Sequence, residues 1–300
     1  PDVRPTKLFE TPELVVVDKP AGLVCSEDSG IVNSLLAVAC ESLGVPGLRL
    51  GHRLDACVTG VLILARSRKL AQLVLSEMQK PGSARKAYLA RVAPRELPPA
   101  LRPTAEAGAW KAHGSQLESE DSAARPGRPS MCVKEPLSYD GHAARAVVDP
   151  AGKACETVVT WLSTLADGTH LLHCQPKTGH KHQIRCHLEA IGLPVANDLL
   201  YGGACAPELP AQGAYLDDEA GTLRAALGQG SASFRSWCAK CQGVASVLAG
   251  ATPPPDLGSA EIWLRSWRYS LPAMGVDVVA PLPTWACDAT SSLGTELKHN

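Results

Sequence analysis

Asp55 closes the run Gly51-His52-Arg53-Leu54-Asp55, and Thr59 and Gly60 follow it. A carboxylate set among cations and polar groups keeps its charge at neutral pH, with the chemistry of a nucleophile or a general base. An aspartate in a loop more often serves as a turn or capping residue, so Asp55 alone is a weak signal. Taken singly, Tyr88 and Arg185 read as a strand tyrosine on a half-buried face and a surface helix arginine. The charge around Asp55 and Tyr88 is lopsided. From Arg49 to Arg95, ten Lys and Arg stand against Asp55 and Glu77, a balance of +8. Such a field attracts a phosphate backbone, although a solvated helix face gives the same count.

Two other groups invite a metal reading. His170, His173, His180, His182 and His187 fall within eighteen residues, but no carboxylate lies among them. A strand followed by a helix would also send several of them in different directions, which argues against a metal. Cys238 and Cys241 form a lone CxxC. A structural zinc needs four ligands, and a redox pair needs a strand–helix junction that this Gly/Ser-rich region lacks. Ordinary thiols are the simpler reading.

Several elements must position these residues. Leu14–Asp18 reads as a buried strand, stopped by Lys19-Pro20-Ala21-Gly22, and Val61–Ala65 reads as another. Ser67 suits the N-cap of a helix with Leu70, Leu73, Val74 and Met78 on its buried face, ended by Pro81-Gly82. Ala87–Val92, Glu156–Leu162 and Thr169–Cys174 read as strands. A helix from about His182 to Ile191 places Ile184, Leu188 and Ile191 inward, with Gly192 as its left-handed stop. Residues 94–130 read as a flexible insertion. Residues 204–255 read as an irregular one, around a short helix near Gly221–Leu227. Strands with few long helices predict an α+β protein, organised as one domain over 1–300.

Composition narrows the class. The 300 residues hold 29 Lys and Arg against 30 Asp and Glu, so a uniformly basic coat for nucleic acid is excluded while a local patch is not. Only 4% of residues are aromatic, so aliphatic side chains must fill the core. No apolar run reaches the length of a membrane span, and the opening residues lack a signal-peptide pattern. The eleven cysteines are scattered singly, which predicts buried, reduced thiols in an intracellular protein. No oligomerisation signal stands out, and a monomer is expected.

The run HRLDACVTGVLILAR resembles the HRLDxxTSGLLLxAK motif of the RluA-type RNA pseudouridine synthases. Arg85-Lys86-Ala87-Tyr88-Leu89-Ala90 is similar to that family's KxYxA segment, and TGHKHQIRCHL at 178–188 to TGRTHQIRxHL. DKPAGL at 18–23, GKACET at 152–157 and IGLPVANDLLYGG at 191–203 also fit, in order. The resemblance implies a long, mostly antiparallel mixed sheet with flanking helices and a central cleft. It implies cofactor-free isomerisation of uridine in structured RNA, first of all tRNA. Asp55 would then be the essential carboxylate, as nucleophile or as base. Tyr88 would lie against the uracil as a candidate for the C5 proton step, and Arg185 would pair with Asp55. His52, Arg53, Thr59, Lys86, Thr178, Gly179, His182 and Gln183 would contact substrate. No metal is implied.

The departures are local. Val58 and Thr59 stand where the motif has Thr-Ser, and His180-Lys181 where it has Arg-Thr. A bidentate guanidinium is thereby lost near a phosphate contact. Residues 237–286 resemble the eukaryotic, tRNA-type branch of the family. Their Cys pair precedes Glu261–Leu271, read as a sheet strand, and Pro281–Ala286, read as a tail beside it. Two other readings are a catalytically silent RNA-binding relative and a zinc-dependent RNA-processing enzyme.

Overall fold

Leu14–Ala65 contains two strands whose side chains divide cleanly between two cores. In a strand, successive residues face opposite sides. Val15, Val17, Leu62 and Leu64 enter one apolar cluster, while Leu14, Val16, Val61 and Ile63 enter another. A strand apolar on both faces must be covered on both. The computed structural model describes residues 4–27, 34–104, 128–203 and 261–286, and it shows that cover. Helices α1 (Leu35–Leu43) and α3 (Gln183–Ala190) lie in the first cluster, and α2 (Arg68–Gln79) in the second.

The strands are β1 (Thr6–Glu10), β2 (Leu14–Lys19), β3 (Arg49–Leu50), β4 (Thr59–Ala65), β5 (Arg85–Val92) and β6 (Ser130–Val133). They continue with β7 (Leu137–Asp140), β8 (Arg145–Val148), β9 (Thr157–Thr164), β10 (His170–Pro176), β11 (Leu264–Leu271) and β12 (Val276–Val279). Ten of them form one sheet along the path β1-β2-β4-β11-β5-β10-β9-β6, with β12 beside β11 and β3 beside β4. Strands β7 and β8 form a separate hairpin. Among the described strands, β4–β11 is the parallel pair and the others are antiparallel, so the expected mixed sheet is present. Gly60 permits that pairing. A Cβ there would lie 2.0 Å from the Ser266 carbonyl oxygen, and its φ of 110° suits glycine alone.

Ser67 caps α2 as expected, its hydroxyl accepting the Leu70 N–H at 3.2 Å. Leu73 does not lie on the buried face. It is 46% exposed, because the inward stripe runs Leu70, Ala71, Val74 and Met78, and one residue of helix turns Leu73 about 100° away from Val74. The stretch from Pro94 is not uniformly irregular either. Leu97 and Leu101 are buried, with a 3-10 turn at Pro99–Leu101. Helix α3 ends at Ala190, one residue before the expected Ile191, and Gly192 follows in the left-handed conformation with φ of 79°, as the sequence predicts. Strand β11 begins at Leu264, three residues after the expected start, and Trp285 from the following tail stacks on Trp263 at 6.2 Å. All seven cysteines among the described residues are free, and six are buried or half-buried. Cys132 departs from expectation by being exposed.

Candidate active site

Asp55 sits in the turn before β4, and a buried cation shapes that turn. Lys19, at the end of β2, is fully buried. Its ammonium donates to the carbonyls of Pro20, Ala56 and Val58 at 3.0, 2.9 and 2.9 Å. Two of those carbonyls belong to the turn itself, so the charge of Lys19 gathers the backbone on which Asp55 stands. The Gly22 N–H adds a bond to the Ala56 carbonyl at 2.8 Å.

Arg185 arrives from α3 and is 1% exposed. Its Nε and Nη2 donate to the two carboxylate oxygens of Asp198 at 2.7 and 3.0 Å. The remaining Nη1 donates to Asp55 Oδ2 at 3.2 Å. A bidentate pair fixes the plane of the guanidinium, so its third nitrogen is aimed and not merely nearby. Beneath it, Tyr201 lies 4.9 Å from the guanidinium carbon. The Tyr201 hydroxyl accepts the Ala146 N–H at 2.7 Å and lies 2.9 Å from His182 Nδ1. His182 Nε2 in turn stands 3.7 Å from Asp55 Oδ2. Asp198 and Tyr201 are site residues that sequence reasoning passed over. Their signal was the segment NDLLYGG, and Gly203 closes it where a Cβ would lie 1.9 Å from the Val195 carbonyl oxygen.

Tyr88 projects from β5 on the same face as α3, half-buried against the first cluster. Burial pushes its phenol up to about 12, eased by a hydrogen bond with Ser266 and raised further by the Asp55 charge. It therefore remains a neutral phenol at ordinary pH. Two residues earlier, Lys86 donates to the Thr178 carbonyl at 3.0 Å and passes close to Gly179, while burial lowers its pKa. Gln183 accepts from the Thr178 hydroxyl at 2.8 Å and from the His180 N–H at 3.1 Å. Its amide nitrogen donates to the Glu156 carbonyl and to Thr157 Oγ1, both at 3.0 Å. Gln183 is thus occupied in holding the 178–182 loop.

Asp55, Arg185 and His182 come together, with Tyr88 close by. Thr59 does not join them through its hydroxyl, which donates to Glu261 at 3.2 Å. His52 leans on the Tyr269 ring at 4.6 Å, and its Nε2 accepts the Ile63 N–H at 3.1 Å. Burial holds its pKa down to about 3, so it is a neutral acceptor and not one of the cations around Asp55. Arg53 is exposed beside the site. The +8 stretch is partly neutralised in the fold. Arg66 pairs with Glu10, Lys80 with Glu77, and Arg91 with Asp167.

The five histidines scatter. His170 lies 2.8 Å from the Arg95 carbonyl, His173 meets Trp267 edge-on, and His187 lies between Thr157 and the Glu135 carbonyl. Among the described residues no three metal-binding side chains cluster. Cys238, Cys241 and the short helix expected near Gly221–Leu227 lie outside the described residues.

Fold and site define a sheet protein with a half-buried aspartate oriented by an arginine from a distant helix. The chain belongs to the RNA pseudouridylate synthase family, whose model matches residues 13–190. It is 33% identical over 200 residues to ribosomal large subunit pseudouridine synthase D of Nitrosomonas europaea, covering 65% of this chain and 49% of that protein. It is 28% identical over 213 residues to human pseudouridylate synthase RPUSD2, covering 70% of this chain and 33% of that protein. The chain thus spans half or less of the length of these relatives. The solved structure of human RNA pseudouridylate synthase domain containing 1 shares its fold, with a TM-score of 0.55 at 17% identity over 94% of this chain and 85% of that one. Among the described residues, no helix is long and apolar enough to cross a membrane.

Proposed function

We propose that this chain isomerises uridine to pseudouridine in structured RNA, with Asp55 as its essential carboxylate. The observation that carries the reading is the Arg185 guanidinium, locked by buried Asp198 and aimed at Asp55 Oδ2. The reaction breaks the N1–C1′ bond, turns the uracil and forms C5–C1′, moving a proton from C5 to N1. Atoms balance within one nucleotide, so no cofactor is required. Asp55 starts the sequence either by attack on carbon or by taking a ribose proton. Tyr88, a neutral phenol at ordinary pH, lies against the uracil; it can give its proton toward N1 and, as the phenolate so formed, take the one that leaves C5, which restores it. A base paired in a helix is out of reach of Asp55, so the target must be flipped or already unpaired. Exposed Arg53 and half-buried Lys86 supply positive charge for phosphate contacts.

tRNA is the first candidate substrate on branch resemblance. The Nitrosomonas relative is named for the large ribosomal subunit, which makes ribosomal RNA the second. One assay separates them. Purified protein is incubated with total RNA from cells lacking the enzyme, and new sites are mapped by carbodiimide-dependent primer stops, with Asp55→Asn in parallel. Sites made by the wild type and missing with Asp55→Asn support the proposal and name the RNA. RNA binding without any new site overturns it in favour of a silent binder.

A further inference from the structure

We propose that the cleft between the β7–β8 hairpin and the 178–182 loop is a second nucleotide subsite, holding the phosphate and sugar of an RNA residue that adjoins the target uridine. The inference rests on the pseudouridine synthase reading and extends it to residues outside the Asp55 cluster. The cleft has a volume of about 390 Å³, within the range of small-ligand sites. Its rim carries Lys153, Lys181 and His180, and no carboxylate among the described residues lines it. The one carboxylate bonded to a lining side chain is Asp149, which accepts the Ser138 hydroxyl at 2.6 Å.

Several of the protein's cations are neutralised within the fold. Arg66, Lys80, Arg91 and Arg145 each reach a carboxylate. Lys181 instead rests on a neutral group, its ammonium 2.7 Å from the Tyr139 hydroxyl and 4.1 Å from the ring centre. Neither Lys153 nor Lys181 has a carboxylate partner among the described residues. Tyr139 itself is 41% exposed, a large ring left in water on the cleft wall. Two cations, an imidazole and an exposed aromatic around a hollow are the groups that recognise a nucleotide's phosphate and its flat or apolar parts.

The cleft also shares a wall with the Asp55 site. The Tyr139 ring meets the His182 ring edge-on at 5.8 Å, and His182 Nε2 lies 3.7 Å from Asp55. Its frame is fixed. Lys153 and Leu137 exchange backbone hydrogen bonds of 2.8 and 2.9 Å, and Gly152 has no room for a Cβ against Leu137. Ala146, inside the cleft, donates to the Tyr201 hydroxyl that also contacts His182. A strand entering the Asp55 site therefore meets a preformed, positively charged hollow at its next step.

The test uses the full chain carrying Asp55→Asn, so that binding is read without turnover. The probe is a fluorescein-labelled RNA stem-loop with one unpaired uridine in its loop, followed by fluorescence anisotropy across a salt series. Three further variants are compared: Lys153→Ala with Lys181→Ala, the uncharged filler Ala151→Leu, and Lys7→Ala on β1 at the far edge of the sheet. Circular dichroism and thermal melts establish that each is folded. Removing both lysines is expected to weaken binding about tenfold and to flatten the salt slope by roughly 0.7 for each phosphate left without its cation. Ala151→Leu is expected to weaken binding comparably with no change of charge, and Lys7→Ala to have little effect. Ala151→Leu binding as tightly as the parent overturns the proposal, because the lysines then act as diffuse surface charge. So do lysine variants that match Lys7→Ala, or a parent that binds no RNA. Failure of the underlying reading looks different, since it leaves the wild type unable to form pseudouridine whatever these affinities are.

Discussion

Arg185 grips Asp198 with two nitrogens and turns the third to Asp55, so one buried carboxylate sets the direction in which another is held. Removing Asp198 leaves a buried guanidinium without its partner. Asp198→Asn is expected to destabilise the fold by about 3–5 kcal/mol and to reduce kcat for pseudouridine formation, read by urea melts and single-turnover assays. Arg185→Met with Asp198→Leu removes both charges together. That pair should recover much of the stability while remaining inactive, which separates holding the fold from aiming Asp55.

Lys19 governs the Asp55 turn through geometry that only a flexible, three-donor ammonium provides. Lys19→Met strands three carbonyls, two of them in that turn. The expected result is a loss of about 2–5 kcal/mol and a fall in kcat, and Lys19→Arg should not restore either, because a planar fork does not fit three converging oxygens.

His52 makes stability depend on pH in one direction. An unfolded histidine titrates near 6.5, whereas the folded imidazole resists protonation until about 3. Below pH 6.5 the unfolded chain therefore binds a proton that the folded chain refuses. The contribution is full above pH 6.5 and falls as pH drops, by at most about 1.4 kcal/mol per pH unit. Urea midpoints between pH 7 and 4 should decline more steeply for the wild type than for His52→Gln.

Tyr88, with its phenol pushed up to about 12, should impose no loss of activity between pH 8 and about 10 through its own ionisation. Tyr88→Phe removes the hydroxyl but keeps the ring. RNA affinity by anisotropy should hold within about twofold while the rate falls by roughly 10²-fold or more, the range expected when a proton donor is removed. An equal fall in affinity and rate would assign Tyr88 to binding alone.

Much of this arrangement is legible from sequence, and the reasons differ by element. The strand and helix around Asp55 announce themselves because β4 is continuously apolar and α2 has a hydroxyl cap and a clear stripe. Helix α1 escaped notice despite Ser34 at its start and left-handed Gly44 at its end, since Leu35–Cys40 is an unbroken apolar run and shows no one-sided stripe. Strands β6, β7 and β8 have four residues each, too few to show alternation. Asp198 reads as one more polar loop residue until α3 is folded against it. The neutral state of His52 is equally invisible, because it depends on burial within the folded protein and on the nearby charge of Lys86, thirty-four residues away in the chain. Of the residues expected from the motifs, Asp55, Arg185 and His182 come together, while Thr59 and Gln183 have hydrogen-bond partners within the protein.

Strand β11 lies between β4 and β5, although those two follow one another in sequence with only α2 between them. Its Ser266 bonds to the Val61 carbonyl on one side and reaches Tyr88 on the other. The spacing between the Asp55 turn and Tyr88 is therefore set by a segment made roughly 180 residues after Tyr88. At about 5–20 residues per second, a ribosome needs some 10–35 s to cover that gap. Throughout that interval the emerging polypeptide carries Asp55 and Tyr88 without the strand that lies between β4 and β5. The residues that the proposed reaction calls on therefore reach their final spacing only after β11 has been synthesised and inserted.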